Sequence, residues 1–464
     1  MKIASIVGDP MKKRVLLSGL LAIVIIASGF GAWYLFETKP KTEQALFSQE
    51  VLDKANELQN KIMSFDAHIT IPISFNTTTV EANIDTSHDF DLVKVEKGGL
   101  SGAALTIFGW PEMWTGPNAP HKPTPGMREA ARHHQEMRYK IIHSLVRDYP
   151  DQVGIAYTPD DFERLHREGK FAIVISMLNA YPLGDDISEL DKWAARGMRL
   201  FGFNYVGNNS WSDSSRPMPF FNDTPDHFDG LSDIGKQAVH RLNDLGIVID
   251  VSQMSYQAVK DVTELTRAPV IASHSAPRGI VNIPRNLSDK EFQMIKKTGG
   301  VVHIVGFSTY LKPLTPNTLE RLNKLRQEFN LEPLHTQKDL ANAHMPGDPI
   351  ISIWPESKFG DYAGRLYEIM EEEPKASLSN YIDAIDYAVQ KVGIDHVGIS
   401  SDFNDGGGVE QWSNVADSKN VTAALIKRGY SEIDIEKLWS RNFLRVWGKV
   451  QALAAPAAQA QASQ

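Results

Sequence analysis

The sequence predicts an α/β protein built as an eight-stranded (β/α)8, or TIM, barrel. Two observations point there. Short apolar runs, most of them continuous, recur along the chain, as parallel strands covered on both faces require. Segments with helical apolar spacing separate them, which is the alternation of βα units. No short-period internal repeat is visible, which removes a solenoid.

The strands are expected near 65–70, 102–108 (GAALTIF), 171–178 (FAIVISML) and 199–205 (RLFGFNY). The second half of the barrel follows at 247–252 (IVIDVS), 269–274 (PVIASH), 300–306 (GVVHIVG) and 396–402 (HVGISSD). Ile234 to Leu245 and Asp289 to Lys297 read as helices between them. Two connections, 109–170 and 308–395, are long, carry helices of their own and are expected to cap the barrel mouth.

A chain of 464 residues, 42% hydrophobic and 23% charged, is ordinary for a globular protein. Net charge is −9 and no long basic run lies outside the N-terminus, so nucleic acid is not an expected partner. The absence of cysteine excludes disulfides, thiolate metal sites and a cysteine nucleophile.

At the N-terminus Lys12-Lys13-Arg14 precedes Val15 to Phe36, which carries no charge and ends near Trp33-Tyr34. That length suits a bilayer and the aromatic pair suits its interface. The segments are therefore read as 1–14 basic and cytoplasmic, 15–36 a transmembrane signal-anchor and 37–63 a charged helical stalk. Residues 64–452 form the barrel, and 453–464 a low-complexity, disordered tail. The basic flank places the barrel outside the cytoplasm, which in a two-membrane bacterium is the periplasmic side of a single-pass inner-membrane protein. A cleaved signal peptide is the competing reading, and Met11 is an alternative start. Oligomeric state is left open, a homodimer included.

Chemistry in such barrels lies at the C-terminal strand ends. There the sequence places His68 and Thr70 on one face of the first strand, Leu178 ending the third and Tyr205 on the fourth. Gln253 follows the fifth, His274 ends the sixth and Asp402 the eighth. His303, on the seventh, reads as a packed core histidine. His68, His274 and Asp402 are expected to share a pocket, and two imidazoles with a carboxylate can hold zinc.

Several stretches carry a family resemblance: FDAHITIP at 65–72, GGLSGAALTIF at 98–108, NYVGNNSWSDSS at 204–215 and GLSDIGKQAVHRLNDLGIVIDVS at 230–252. APVIASHSAPRGIVNIPRNLSD at 268–289, HVGISSDFNDGG at 396–407 and NFLRVW at 442–447 continue it. In their order and spacing they resemble the membrane (renal-type) dipeptidases, metallopeptidases with a metal-dependent hydrolase barrel and two zinc ions.

That resemblance implies ligands this chain lacks. Thr70 stands where the family places aspartate, Leu178 where a glutamate bridges both ions, and Gln253 where a histidine is expected. Tyr205 replaces a histidine that helps stabilise the tetrahedral intermediate. His68, His274 and Asp402 match, as does Arg285, the expected binder of a substrate carboxylate. The expectation is a divergent member holding at most one zinc ion, with Asp402 and Tyr205 as catalytic candidates and a small peptide-like ligand. SMLNAYPLG and DVSQMS look like the dipeptidase-like proteins of pyoverdine-type siderophore maturation. An active zinc dipeptidase, with one metal or two, is the alternative.

Overall fold

The computed structural model describes residues 47–77, 80–111, 122–218, 221–334 and 354–455. Among them one parallel sheet contains β1 (Phe65–Thr70), β2 (Gly102–Phe108), β3 (Val153–Ile155), β4 (Phe171–Leu178) and β5 (Met198–Gly202). It continues with β6 (Val248–Asp250), β7 (Ile271–Ser275), β8 (Val301–Val305) and β9 (Val397–Ser400). Eight strands run in the order β1-β2-β4-β5-β6-β7-β8-β9. The Asp402 amide donates to His68 O at 3.1 Å and the Thr70 amide to Phe403 O at 3.0 Å. These bonds join the two ends into a nearly closed barrel.

The eight predicted strands are all present, with shorter ends and one addition. β3 was not anticipated, because three residues carry no readable period; it exists by pairing with the first part of β4. The strand expected over 199–205 stops at Gly202, which leaves Tyr205 in the following loop. The strand over 247–252 shrinks to Val248–Asp250. There the Asp250 carboxylate takes the amides of Ser252 (2.9 Å) and Ser273 (2.8 Å), where ladder carbonyls would otherwise serve. The last strand ends at Ser400, before Asp402 turns to φ +61°.

The helical spacing from Phe47 to Met63 folds as the helix Gln49–Lys61, capped by the Ser48 hydroxyl. It does not stand free as a stalk. Phe47, Ala55, Leu58 and Ile62 are buried in the main core, and buried Gln59 accepts a hydrogen bond from the Thr422 hydroxyl. Apolar residues on one side of an amphipathic helix need such a surface.

The connection 109–170 supplies the helix Pro125–Asp148, whose Arg138 donates to Ile71 O and Phe108 O just beyond β1 and at the end of β2. That helix therefore reaches the barrel mouth as expected. The connection 308–395 builds a satellite core around Leu322, Phe329, Trp354 and Tyr362. Lys12–Arg14 and the apolar run Val15–Phe36 lie outside the described residues. Among the described residues no helix is long and apolar enough to cross a membrane.

Candidate functional site

Alternation along a strand puts Asp66, His68 and Thr70 in phase on β1. All three are buried. The His68 ring stacks on His274, at the end of β7, with centroids 3.9 Å apart and planes 25° from parallel. His68 Nε2 lies 3.6 Å from Asp402 Oδ1. One ligand-type atom from each of His68, His274 and Asp402 falls within 4.8 Å of the others. The structure thus brings together the three residues the sequence singled out for a shared pocket.

Backbone geometry aims these groups. Asn179, Gln253 and Asp402, just past β4, β6 and β9, hold φ of +80°, +67° and +61°. Non-glycine residues rarely occupy this left-handed region. The Asp402 turn is closed by the amides of Asp405 and Gly407, which donate to its carbonyl. Gly407 is required there, since a Cβ would sit 2.0 Å from Ser401 O.

The remaining candidates take different roles. Thr70 Oγ1 is buried without a hydrogen-bond partner. Leu178 is fully buried, its Cδ1 2.6 Å from where a Cβ on Gly202 would lie. Gln253 Nε2 lies 3.0 Å from His274 Nε2. The Tyr205 phenol donates to Asp405 at 3.1 Å, and its ring lies 5.0 Å from that of Phe108. Arg285, only 2% exposed, donates to His274 O at 2.6 Å and to Ser275 Oγ at 3.2 Å. A pairing of Arg285 with Asp289 does not occur, because Asp289 is held by Lys391 and Tyr387. His303 is buried with Nδ1 3.1 Å from Ala272 O, a core histidine as predicted.

Burial sets the charge states. It pushes the His68 imidazole down to about 3, helped by the Arg285 charge. It also holds His274 well below its ordinary value, with His68, Arg285 and Arg216 adding to the effect. The Asp402 carboxyl is raised by burial and by Asp405, against the pull of Arg285 and Arg216. Burial likewise lifts Asp66 to about 7, although it accepts from the amides of His68 and Ser401. Both imidazoles are therefore neutral, the form that can ligate a metal.

His68 Nε2 and Asp402 Oδ1 are buried, face one another and have no hydrogen-bond partner. One orphaned imidazole nitrogen facing one orphaned carboxylate oxygen, the pair next to the His274 ring, fit a single zinc ion. Bound there, zinc would supply Lewis acidity to a water or carbonyl oxygen.

Sequence reasoning missed Asp66, Arg138, Arg216, Asp250, Tyr310 and Asp405. Asp66 had a signal, being in phase with His68. Asp405 had one in the DFNDGG turn. Arg216 and Tyr310 had none, since a loop and the short helix Ser308–Leu311, far apart in sequence, bring them together. The Arg216 guanidinium bonds Gln253 and Tyr310.

Comparison with known proteins agrees with this fold. The probable dipeptidase PvdM from Pseudomonas aeruginosa is 63% identical, with a TM-score of 0.84 over 88% of this chain and 100% of that one. A metallo peptidase from Rhodobacter sphaeroides, liganded with a phosphinate mimic of the dipeptide L-Ala-D-Ala, shares the fold at 19% identity. Its TM-score is 0.61 over 84% of this chain and 99% of that one. Dipeptidase tcpJ from Claviceps purpurea is 27% identical over 332 residues, which are 70% of this chain and 63% of tcpJ. The chain thus spans less than two thirds of that relative. Dipeptidase aclJ from Aspergillus oryzae is 22% identical, over 94% of this chain and 89% of aclJ. The family model for membrane dipeptidases, which are zinc-dependent metallopeptidases, matches residues 52–461. A match of that extent spans the whole barrel and every strand end that builds the site, so this chain belongs to the membrane dipeptidase family, peptidase family M19.

Proposed function

We propose that this protein binds a peptide-like small molecule at the barrel mouth and has lost the two-zinc hydrolysis of its family. The observation that carries the reading is Leu178. It fills the end of β4, where the family resemblance calls for a bridging glutamate, with a fully buried hydrocarbon. A leucine offers no lone pair and no negative charge, so two dications held close together would repel without compensation. Thr70 and Gln253 supply a hydroxyl and an amide, poor zinc ligands beside carboxylate and imidazole. At most one ion is held, by the orphaned His68 Nε2 and Asp402 Oδ1.

Arg285 is the group for the ligand's carboxylate. Its Nε is buried and lacks an acceptor, and no carboxylate forms an ion pair with it among the described residues. A charge-assisted hydrogen bond there contributes about 1.5–3 kcal/mol. The likeness of SMLNAYPLG and DVSQMS to proteins of pyoverdine-type maturation supports a tailoring role on a siderophore precursor. The basic flank and apolar run at the N-terminus support a membrane-anchored, extracytoplasmic barrel.

A second reading, a hydrolase with one zinc, is favoured by the two orphaned atoms His68 Nε2 and Asp402 Oδ1. Metal content of the purified chain and zinc-supplemented hydrolysis of simple dipeptides, with a chelator control, decide between them. Our reading expects at most one ion and negligible turnover. One ion with chelator-sensitive turnover establishes the second reading. About two ions per chain would sink both.

A further inference from the structure

Arg216 belongs to the loop after β5, and that loop is stitched to Gln253. The Ser215 amide and hydroxyl donate to Gln253 O at 2.8 and 3.0 Å, and the Ser214 hydroxyl at 3.3 Å. The guanidinium so placed bonds the Gln253 side chain and reaches the Tyr310 hydroxyl at 3.4 Å. No carboxylate forms an ion pair with Arg216 among the described residues, and its Nε is buried without an acceptor.

The chemistry of these groups fixes a direction for every bond. A guanidinium only donates, so the atom it faces is the Gln253 carbonyl oxygen. The amide nitrogen then faces His274 Nε2 at 3.0 Å and, since it too only donates, His274 Nε2 must accept. The neutral ring carries its proton on Nδ1, which donates to Ser273 Oγ at 2.6 Å. The Ser273 hydroxyl donates in turn to Asp250 Oδ2 at 2.5 Å. Four bonds run one way from Arg216 to Asp250, and both nitrogens of His274 are used.

We propose that Arg216 is the resident cation of this half of the site. By orienting Gln253 it occupies the lone pair with which His274 would bind a metal. The guanidinium thereby stands in for the charge of a second ion and closes that position to one. This rests on the reading above that at most one ion is held, and it names the side chain that enforces the limit.

The test is equilibrium binding of cobalt(II) alone to the purified full chain, followed by metal analysis and by the visible ligand-field spectrum. The unmodified protein is compared with Arg216→Ala, Gln253→Ala and the double variant Gln253→Ala/His274→Ala. Freeing His274 Nε2 should tighten cobalt binding about tenfold or more in both single variants, the scale on which outer hydrogen-bond partners act on metal affinity. The spectrum should shift with the added nitrogen ligand, and the double variant should lose the gain. Unchanged or weaker binding in Gln253→Ala, with an unchanged melting temperature, would overturn the proposal even if Arg216→Ala fails to fold. Two tightly held ions in the unmodified protein would instead overturn the reading it rests on.

Discussion

Leu178 and His303 show how a single buried side chain sets chemistry here. Leu178→Glu should not rebuild a two-metal site, because Thr70 and Gln253 remain. It would place a carboxyl where a buried hydrocarbon packs beside Gly202, at a cost of about 3 kcal/mol or more, or drive its protonation. Denaturant unfolding with and without zinc checks this, and undiminished stability would show that the site accepts a charge. His303 gives a pH prediction. Burial pushes its folded-state value from 6.5 down to about 4. Between those values the unfolded chain binds a proton that the folded chain refuses, so stability is lost as pH falls from 6.5 towards 4. For this one group the loss approaches about 3 kcal/mol. His303→Gln should remove it, so the stability difference between the two proteins should shift in the variant's favour as pH falls from 6.5 to 4. Parallel curves would place the proton uptake elsewhere.

At the scale of elements, the helix Gln49–Lys61 is the one whose role changes most between sequence and structure. Its spacing announces an amphipathic helix but not what the apolar side meets. Leu58 is 3% exposed and lies in the main core. Leu58→Ala should therefore cost about 2–5 kcal/mol, as for other buried leucines. A calorimetric melting temperature close to that of the unmodified protein would mean the helix is a free stalk after all. Strand identity was legible because runs such as FAIVISML and GAALTIF are apolar throughout, as both-face burial demands. Strand ends were not. They depend on Asp250 taking the amides of Ser252 and Ser273, and on the left-handed turn at Asp402, and neither leaves a hydrophobic period to read.

For the whole molecule, the ordering of charge along the chain makes a topological prediction. With Lys12 to Arg14 held inside, everything after Phe36 is expected to be exported. A reporter enzyme fused after Val450, active only outside the cytoplasm, should be active; cytoplasmic activity would reverse the orientation. That prediction, if met, would place the barrel mouth where a peptide-derived ligand outside the cytoplasm would meet Arg285.

The sequence by itself determined the barrel, its strand order and the chemical identity of the groups at the strand ends. Parallel strands advertise themselves by continuous hydrophobicity, and the site residues stand at their ends. It also determined that Leu178 can bind no metal, since that follows from side-chain chemistry alone. Only the tertiary structure decided that His68 and His274 stack at 3.9 Å and that Asp402 completes their group. It alone decided that Arg216, two loops away from His274, sets the direction of the hydrogen bonds through Gln253 to Asp250. The reason is physical: periodicity encodes which face of an element is buried, whereas hydrogen-bond direction depends on which donors and acceptors the closed barrel brings within 3 Å of each other.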